Sequence, residues 1–529
     1  MIPVSQLPEV VVILYGISVV ALIAECLGWL FFYAEPFVTP TWLVCIRLAV
    51  TAAALWKGRL WKDRGFVILI SFYLLLLVRI LLGNAEQLFD ISVSETFLNG
   101  LWAFVGCYAV GRMLKKDQVL SFLKLFIAVW TVLMTVHASI ALYAAWNNHV
   151  IWTIGKGGFW GIGGTIGNGD FHYLMQNAAA TTGELRLYSP LYATTGGSLL
   201  SISVLLSLLG LLLNRPAWAK CLYALAFIPL FLAMALTDSR AAHITTSAGI
   251  AVLVFAAVFL HFRKPAASLQ AQSAPAKKQP AAGVVWTVAV LGMLAAFVIM
   301  IFVAFRTITV FNNVKVRLHS ESIVLSTAAA EEEPSAEGTS PAGKEENPQD
   351  LIVSSRGLSG SNVLNGRQDI WKTVLLFLKR NPLSLLTGES VYYPMNGPNA
   401  QPESLFPAGH CHCMPLQLLL VSGIPGLLLI LAFVVHLAAC SIRLITSRAA
   451  PGWMRWLPAP IVTILVGELV ECFTNIAYPW PITPVLMVLA GIVSTLSARF
   501  RPDSENAPSG SEASASGPEN PVRVQQPGS

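Results

Sequence analysis

Uncharged apolar runs of about twenty residues recur along this chain, and each is long enough to cross the hydrocarbon layer of a bilayer as a helix. By that length criterion the sequence predicts about twelve spans. They lie near residues 8–33, 39–56, 65–83, 96–113, 118–145, 190–213, 221–237, 244–262, 283–305, 415–442, 456–477 and 482–499. Composition agrees: 55% of the 529 residues are hydrophobic and only 12% charged, against about 25% charged in a soluble domain. The first run, Pro8 to Tyr33, is too long for the apolar part of a cleavable leader and no small-residue cleavage site follows it. The expected fold is therefore an all-α integral membrane protein.

Orientation follows from where Lys and Arg fall between the spans. Lys57, Arg59, Lys62 and Arg64 follow the second span; Arg112, Lys115 and Lys116 the fourth; Arg215 and Lys220 the sixth. Arg263, Lys264, Lys277 and Lys278 follow the eighth, Arg443 and Arg448 the tenth, Arg499 and Arg501 the last. Every even-numbered exit is basic, so those loops and both termini are expected on the cytoplasmic side. Four parts result: an N-terminal bundle of about nine spans at 1–305, a large extracytoplasmic loop at 306–413, the C-terminal spans at 414–500 and a tail at 501–529. Within the loop, Ala328–Asp350 is rich in Glu, Pro, Ser and Gly and cannot bury enough apolar area to fold. The Ser-, Pro- and Gly-rich tail is expected to be disordered as well. The net charge of +6 is a sum over separate loops. No basic stripe with interleaved aromatics runs through it, which speaks against nucleic acid as a partner.

Arginines on the extracytoplasmic side run against the positive-inside bias and need a reason. Arg186 lies in GELRLYSPLY, Arg240 in TDSRAAH and Arg367 in NGRQDIW, while His412 lies in GHCHCMPLQLLLVSGIPG. The expected topology puts all four at one membrane face. Arginine presents a planar fork of donors suited to phosphate, and histidine moves protons near neutral pH. Each could equally be a solvated charge, a headgroup contact or an ordinary loop residue. No Walker loop or dinucleotide fingerprint is present, which counts against an ATP-driven transporter. His410, Cys411, His412 and Cys413 raise a metal reading, but four consecutive residues cannot readily wrap one tetrahedral ion. No metal or other cofactor is expected. The remaining cysteines, Cys26, Cys45, Cys107, Cys221, Cys440 and Cys472, sit in apolar runs where a free thiol acts as a small hydrophobe.

Charges inside spans are costly, and Glu25, Arg47, Arg79, Glu468 and Glu471 fall there. They either pair within the bundle or line a polar cavity. The segment Arg367–Asn381 carries Ile370, Val374, Leu375 and Leu378 at helical spacing beside Lys372, Lys379 and Arg380. It reads as a basic amphipathic helix at the membrane interface or as a packed helix, stopped by Pro382.

The stretch HCMPLQLLLVSGIPG resembles the signature of the O-antigen ligase and polymerase superfamily, where a His-Asn pair precedes Leu-Gln and then Gly-Ile-x-Gly. His412, Leu416, Gln417, Gly423, Ile424 and Gly426 match at that spacing, and Cys413 stands where Asn is usual. Arg367 and Trp371 resemble the family's Arg-x-x-x-Trp element, and Ser239 and Arg240 its Ser-Arg turn. Arg186 is a looser match, without the usual Pro-Asn. The resemblance covers roughly 180–440. It implies a GT-C-like bacterial inner-membrane enzyme, an inverting, metal-independent glycosyltransferase of cell-envelope polysaccharide biosynthesis. Its donor would be a glycan on undecaprenyl diphosphate and its acceptor a hydroxyl on a glycan, lipid or protein. By carry-over His412 would activate the acceptor, and Arg186, Arg240 and Arg367 would bind the diphosphate or hold the catalytic loop. A repeat-unit polymerase shares these motifs. A lipid-linked glycan flippase is the competing class, but transporters keep key polar groups near the bilayer midplane, often in repeated halves. A scaffold with a vestigial site is the third reading.

Overall fold

The structure is a computed structural model that describes residues 45–49, 51–52, 60–84, 97–98, 100–114, 116–147, 149, 151–152, 159–166, 170–172, 186–188, 193–262, 282–330, 367–388, 413–447, 450–458, 461 and 482–499. A 3-10 turn at Leu60–Lys62 leads into α1 (Arg64–Asn84). A π-turn at Trp102–Gly106 runs into α2 (Cys107–Met113), followed by α3 (Lys116–Trp146). Strands β1 (Ile151–Trp152), β2 (Phe159–Ile166), β3 (Asp170–His172) and β4 (Arg186–Tyr188) come next. The helices then resume with α4 (Ala193–Leu213), α5 (Ala217–Leu236), α6 (Arg240–Phe262) and α7 (Ala282–Ala330). Beyond them lie α8 (Arg367–Arg380), α9 (Pro382–Thr387), α10 (Met414–Thr446), α11 (Gly452–Trp456) and α12 (Ile482–Arg499).

Among the described residues, 7 helices are long and apolar enough to cross a membrane: Arg64–Leu82, Val119–Trp146, Gly196–Leu213, Ala217–Leu236, Arg240–Phe262, Gly283–Leu318 and Pro415–Thr446. Each falls on an expected span. α2 and α12 occupy two further expected positions, 96–113 and 482–499. The expected spans at 8–33, 39–56 and 456–477 lie wholly or largely outside the described residues, as do Glu25, Glu468, Glu471 and the tail.

Lipid is as apolar as a protein interior, so hydropathy alone does not mark a buried face. On α1 it is spacing that sorts the residues. Phe66, Leu69, Phe72, Tyr73, Leu76 and Ile80 are buried, while Val67, Leu74, Val78 and Leu81 face outward. Helix α4 is the centre, with 83% of its span buried, whereas α7 is peripheral at 11%. Its sequence explains this: ATTGGSLLSISVLLSLLG supplies small residues that let neighbours approach closely. The serines also satisfy partners, since the Trp130 indole donates to Ser203 Oγ at 3.0 Å and Thr246 Oγ1 donates to Ser201 Oγ at 3.0 Å.

The structure departs from the sequence reading in two places. The expected all-α fold is interrupted between α3 and α4 by a 4-stranded antiparallel sheet, ordered β1-β2-β3 with β4 also on β2. In its register Gly163 pairs with Arg186, Ile162 with Leu187 and Gly161 with Tyr188. The sheet packs on α3, and β4 also touches α4 and α5. Trp160 ties it down, donating from its indole to His137 Nδ1 at 3.4 Å. Second, α7 does not stop near 305. It is 49 residues long, about 74 Å at 1.5 Å per residue. The chain from Arg306 to Ala330 is therefore helix, and Ala328–Ala330 of the acidic insert closes it; the rest of the insert lies outside the described residues. Burial of Ile308, Phe311 and Lys315 at helical spacing holds the extension to the body. Lys315 Nζ donates to the Ala145 carbonyl at 2.8 Å, and Phe311 lies edge-on to Trp146.

Candidate functional site

The helices alternate in direction, so the bundle has two ends. One collects the starts of α1, α3 and α5 and the ends of α2, α4, α10 and α12. There Asp63 caps α1 by accepting the Phe66 amide at 2.9 Å, accepts the Tyr108 hydroxyl at 2.7 Å, and meets Arg112 at 3.0 Å. Ser494 of α12 donates to the same carboxylate at 3.4 Å. The other end collects the starts of α4, α6 and α10, the ends of α1, α3 and α5, the small sheet, α8 and α9. Every predicted site residue with a described backbone belongs to this second end.

Arg240 is built most completely. Thr237 is the C-cap of α5 and Asp238 follows at φ 46°, a left-handed conformation that Asp tolerates. Ser239 then caps α6, its Oγ accepting the Ala242 amide at 3.4 Å. Arg240 opens the helix. The turn is clamped from α4: a Cβ on Gly197 would meet Thr237 Oγ1 at 2.8 Å and Ser239 Cβ at 2.9 Å. His243, one turn into α6, is buried and donates from Nε2 to the Ala235 carbonyl of α5 at 3.2 Å. Its ring stands edge-on to Phe305 of α7, centroids 4.9 Å apart. The N-terminal turn of α6 and the Arg240 side chain thus share one rigid corner, suited by helix dipole and guanidinium alike to an anion.

Arg186 is the first residue of β4, two residues from Tyr188 and so on the same strand face. Burial pushes the Tyr188 phenol above its ordinary value, partly offset by the Arg186 charge. Because β4 packs on α4 and α5, Arg186 and Arg240 are held at the same end of the bundle. Arg367 is the first residue of α8. That helix buries Val374 and Leu378 against Cys413 and Leu420, with Trp371, Phe377, Leu416 and Leu419 around them. Its outer arc mixes exposed Leu375 and Leu376 with exposed Lys372, Lys379 and Arg380. Pro382 does more than stop α8, since it opens α9.

His412 and His410 lie outside the described residues. The next residue, Cys413, is the N-cap of α10, with extended backbone at φ −154°. It is buried in the α8 cluster, and that burial pushes its thiol up, outweighing the opposing effect of the Leu416 amide. A buried thiol facing Val374 and Leu378 is a poor metal donor, because the ligand form is the thiolate.

The Gly-Ile-x-Gly stretch has a visible purpose. Gly423 breaks α10 at φ 64°, two residues ahead of Pro425, which has no amide to continue the ladder. Into that break passes the end of α9. A Cβ on Gly423 would strike the Leu386 carbonyl, and one on Gly388, itself at φ 71°, would strike the backbone of Val421 and Ser422. Arg79 of α1 donates from Nε to the Gly388 carbonyl at 2.7 Å. Two of the charges expected inside spans thus have visible uses, Arg79 here and Arg47, which stacks over Trp102 at 4.2 Å.

Residues 225–431, from within α5 to within α10, match the family model described as O-antigen ligase. That range contains Arg240, Arg367 and His412 but not Arg186. No curated protein matches the chain.

Proposed function

We propose that this chain, a member of the O-antigen ligase superfamily through its O-antigen ligase domain at residues 225–431, transfers a glycan from undecaprenyl diphosphate to an acceptor hydroxyl on the extracytoplasmic face of the bacterial inner membrane. The observation that carries the reading is convergence. Arg186 on β4, Arg240 at the head of α6, Arg367 at the head of α8 and the N-cap of α10 all belong to one end of the bundle. The opposite end carries Arg64, Arg112, Arg215, Lys220, Arg443 and Arg499, which supports a cytoplasmic placement for it.

In this reading His412 takes the proton from the acceptor hydroxyl. The freed oxygen attacks the anomeric carbon from the side opposite the diphosphate, the carbon–oxygen bond to the diphosphate breaks, and the configuration inverts. Arg240, Arg186 and Arg367 take up the charge that grows on the departing diphosphate, aided by the dipole at the head of α6. The leaving group is good and its charge is met by guanidinium groups, so no metal or other cofactor is required of the protein.

The test supplies the purified full-length chain in lipid with an undecaprenyl-diphosphate-linked glycan and labelled candidate acceptors. The expected outcome is inverted transfer with release of undecaprenyl diphosphate, unaffected by strong chelators. Product that consists only of lengthened lipid-linked glycan would identify a polymerase. Movement of intact donor across the vesicle without transfer would overturn the enzyme reading in favour of a flippase.

A further inference from the structure

We propose that Arg79 is a positioning residue for glycan transfer: it pins the α8–α9 arm onto the break in α10 and so fixes the start of α10 at Cys413, the residue next in sequence to His412. The proposal rests on the function assigned above.

Three observations lead there. Arg79 is a cation near the outer end of the membrane-spanning α1, where an apolar residue would serve the span better. Its Nε donates at 2.7 Å to one main-chain atom, the Gly388 carbonyl, which the Thr387 hydroxyl also approaches at 3.2 Å. And Gly388 is where α9 threads the break at Gly423, with both backbones too close for a side chain.

The consequences run outward along the chain. Gly388 is held from within as well, its amide donating to the Ser384 carbonyl at 2.8 Å. α9 is joined to α8 through Asn381 alone. The buried face of α8, Val374 and Leu378, then rests on Cys413, the residue that follows His412. Fixing Gly388 therefore fixes the seat of Cys413 at the start of α10 and the helix that begins with Arg367. A planar guanidinium, always charged and directional, suits this task better than a neutral amide, which is shorter and more easily rotated. A misplacement of about 1 Å at such a seat can cost on the order of 100-fold in rate.

The experiment compares Arg79→Met, which keeps the length and suits a span, with Arg79→Gln and Arg79→Lys in the purified full-length chain. Each is assayed with the undecaprenyl-diphosphate-linked donor beside His412→Ala. Arg79→Met is expected to lower kcat about 10- to 100-fold with the donor KM changed less than about threefold. Arg79→Lys, which keeps one donor for the carbonyl, should recover most of that kcat, and Arg79→Gln little of it. Should Arg79→Met fail to accumulate, the gap between the Lys and Gln variants carries the same information. Parental kcat in Arg79→Met or Arg79→Gln beside an inactive His412→Ala overturns the role of Arg79 alone. So does a lower yield of folded protein with parental kcat. A parental rate in His412→Ala beside a slowed, Lys-rescued Arg79→Met removes the His412 assignment instead and leaves the pinning role standing.

Discussion

The two ends of the bundle are held together by different means. At one, Asp63 at the head of α1 gathers Tyr108 and Arg112 of α2 and Ser494 of α12, beside a close backbone crossing of those two helices at Gly111 and Gly491. At the other, α9 crosses α10 backbone to backbone where Gly388 passes Gly423, and Gly197 presses on the side chains of the Thr237–Ser239 turn. Three side chains there reach carbonyl oxygens of other elements, Arg79 to Gly388, Lys315 to Ala145 and His243 to Ala235. A carboxylate lock can be lost with one residue and leaves a buried charge behind. At the second end the crossing stands among the candidate arginines, with no carboxylate fastening it in the described residues, so the distances it holds bear on the site. The first end is thus read as a fastening and the second as a workbench.

The comparison can be broken most forcefully at the fastening. Asp63→Ala should cost about 3–5 kcal/mol, because it strands Arg112 among partly buried neighbours. Denaturation of the purified protein should register that loss, while transfer per folded molecule stays near parental. A selective fall in kcat with unchanged stability would erase the distinction between the ends. Gly423→Ala comes next. Its cost is at least about 1–3 kcal/mol for a side chain at positive φ, with the Leu386 carbonyl in the way. Unlike the Asp63 variant it should lower kcat in whatever folded protein survives, and parental kcat would count against the crossing as part of the site. Arg240→Lys should leave stability unchanged and slow transfer about 10- to 100-fold, since Lys cannot reproduce the bidentate grip on a diphosphate. A rate within about twofold of parental would mean that Arg240 is a solvated charge.

Much of the bundle was legible because its signal is length. Runs such as RGFVILISFYLLLLVRILLGN cannot be anything but a span, and α1, α3 to α7 and α10 follow directly. The sheet was not legible, because strands of two or three residues lie below any period and FWGIGGTI is rich in glycine, a turn signal. The extension of α7 was missed because Arg306 ends the apolar run. The buried trio Ile308, Phe311 and Lys315 kept a helical spacing that hydropathy does not weigh, a lysine counting as polar even when it caps a neighbouring helix. At the candidate site, residue types and motif spacing named Arg240, Arg367 and the Gly-Ile-x-Gly turn. They could not say that Gly423 exists to let α9 through, since Gly388 and Gly423 meet only in three dimensions. Arg79 stood out as a charge in a span, but its acceptor is a carbonyl, which no pattern of side chains can announce.

The central claim is that His412 moves the acceptor proton, and the direct measurement is the rate of glycan transfer by His412→Ala against His410→Ala in the same membranes. The two histidines share their chemistry and stand two residues apart, but only His412 keeps the motif spacing to Gly423. The account predicts that His412→Ala inserts normally and loses about 10²–10⁴-fold in rate, while His410→Ala keeps most of its activity. Transfer by His412→Ala at the parental rate, or equal losses in both variants, would contradict it.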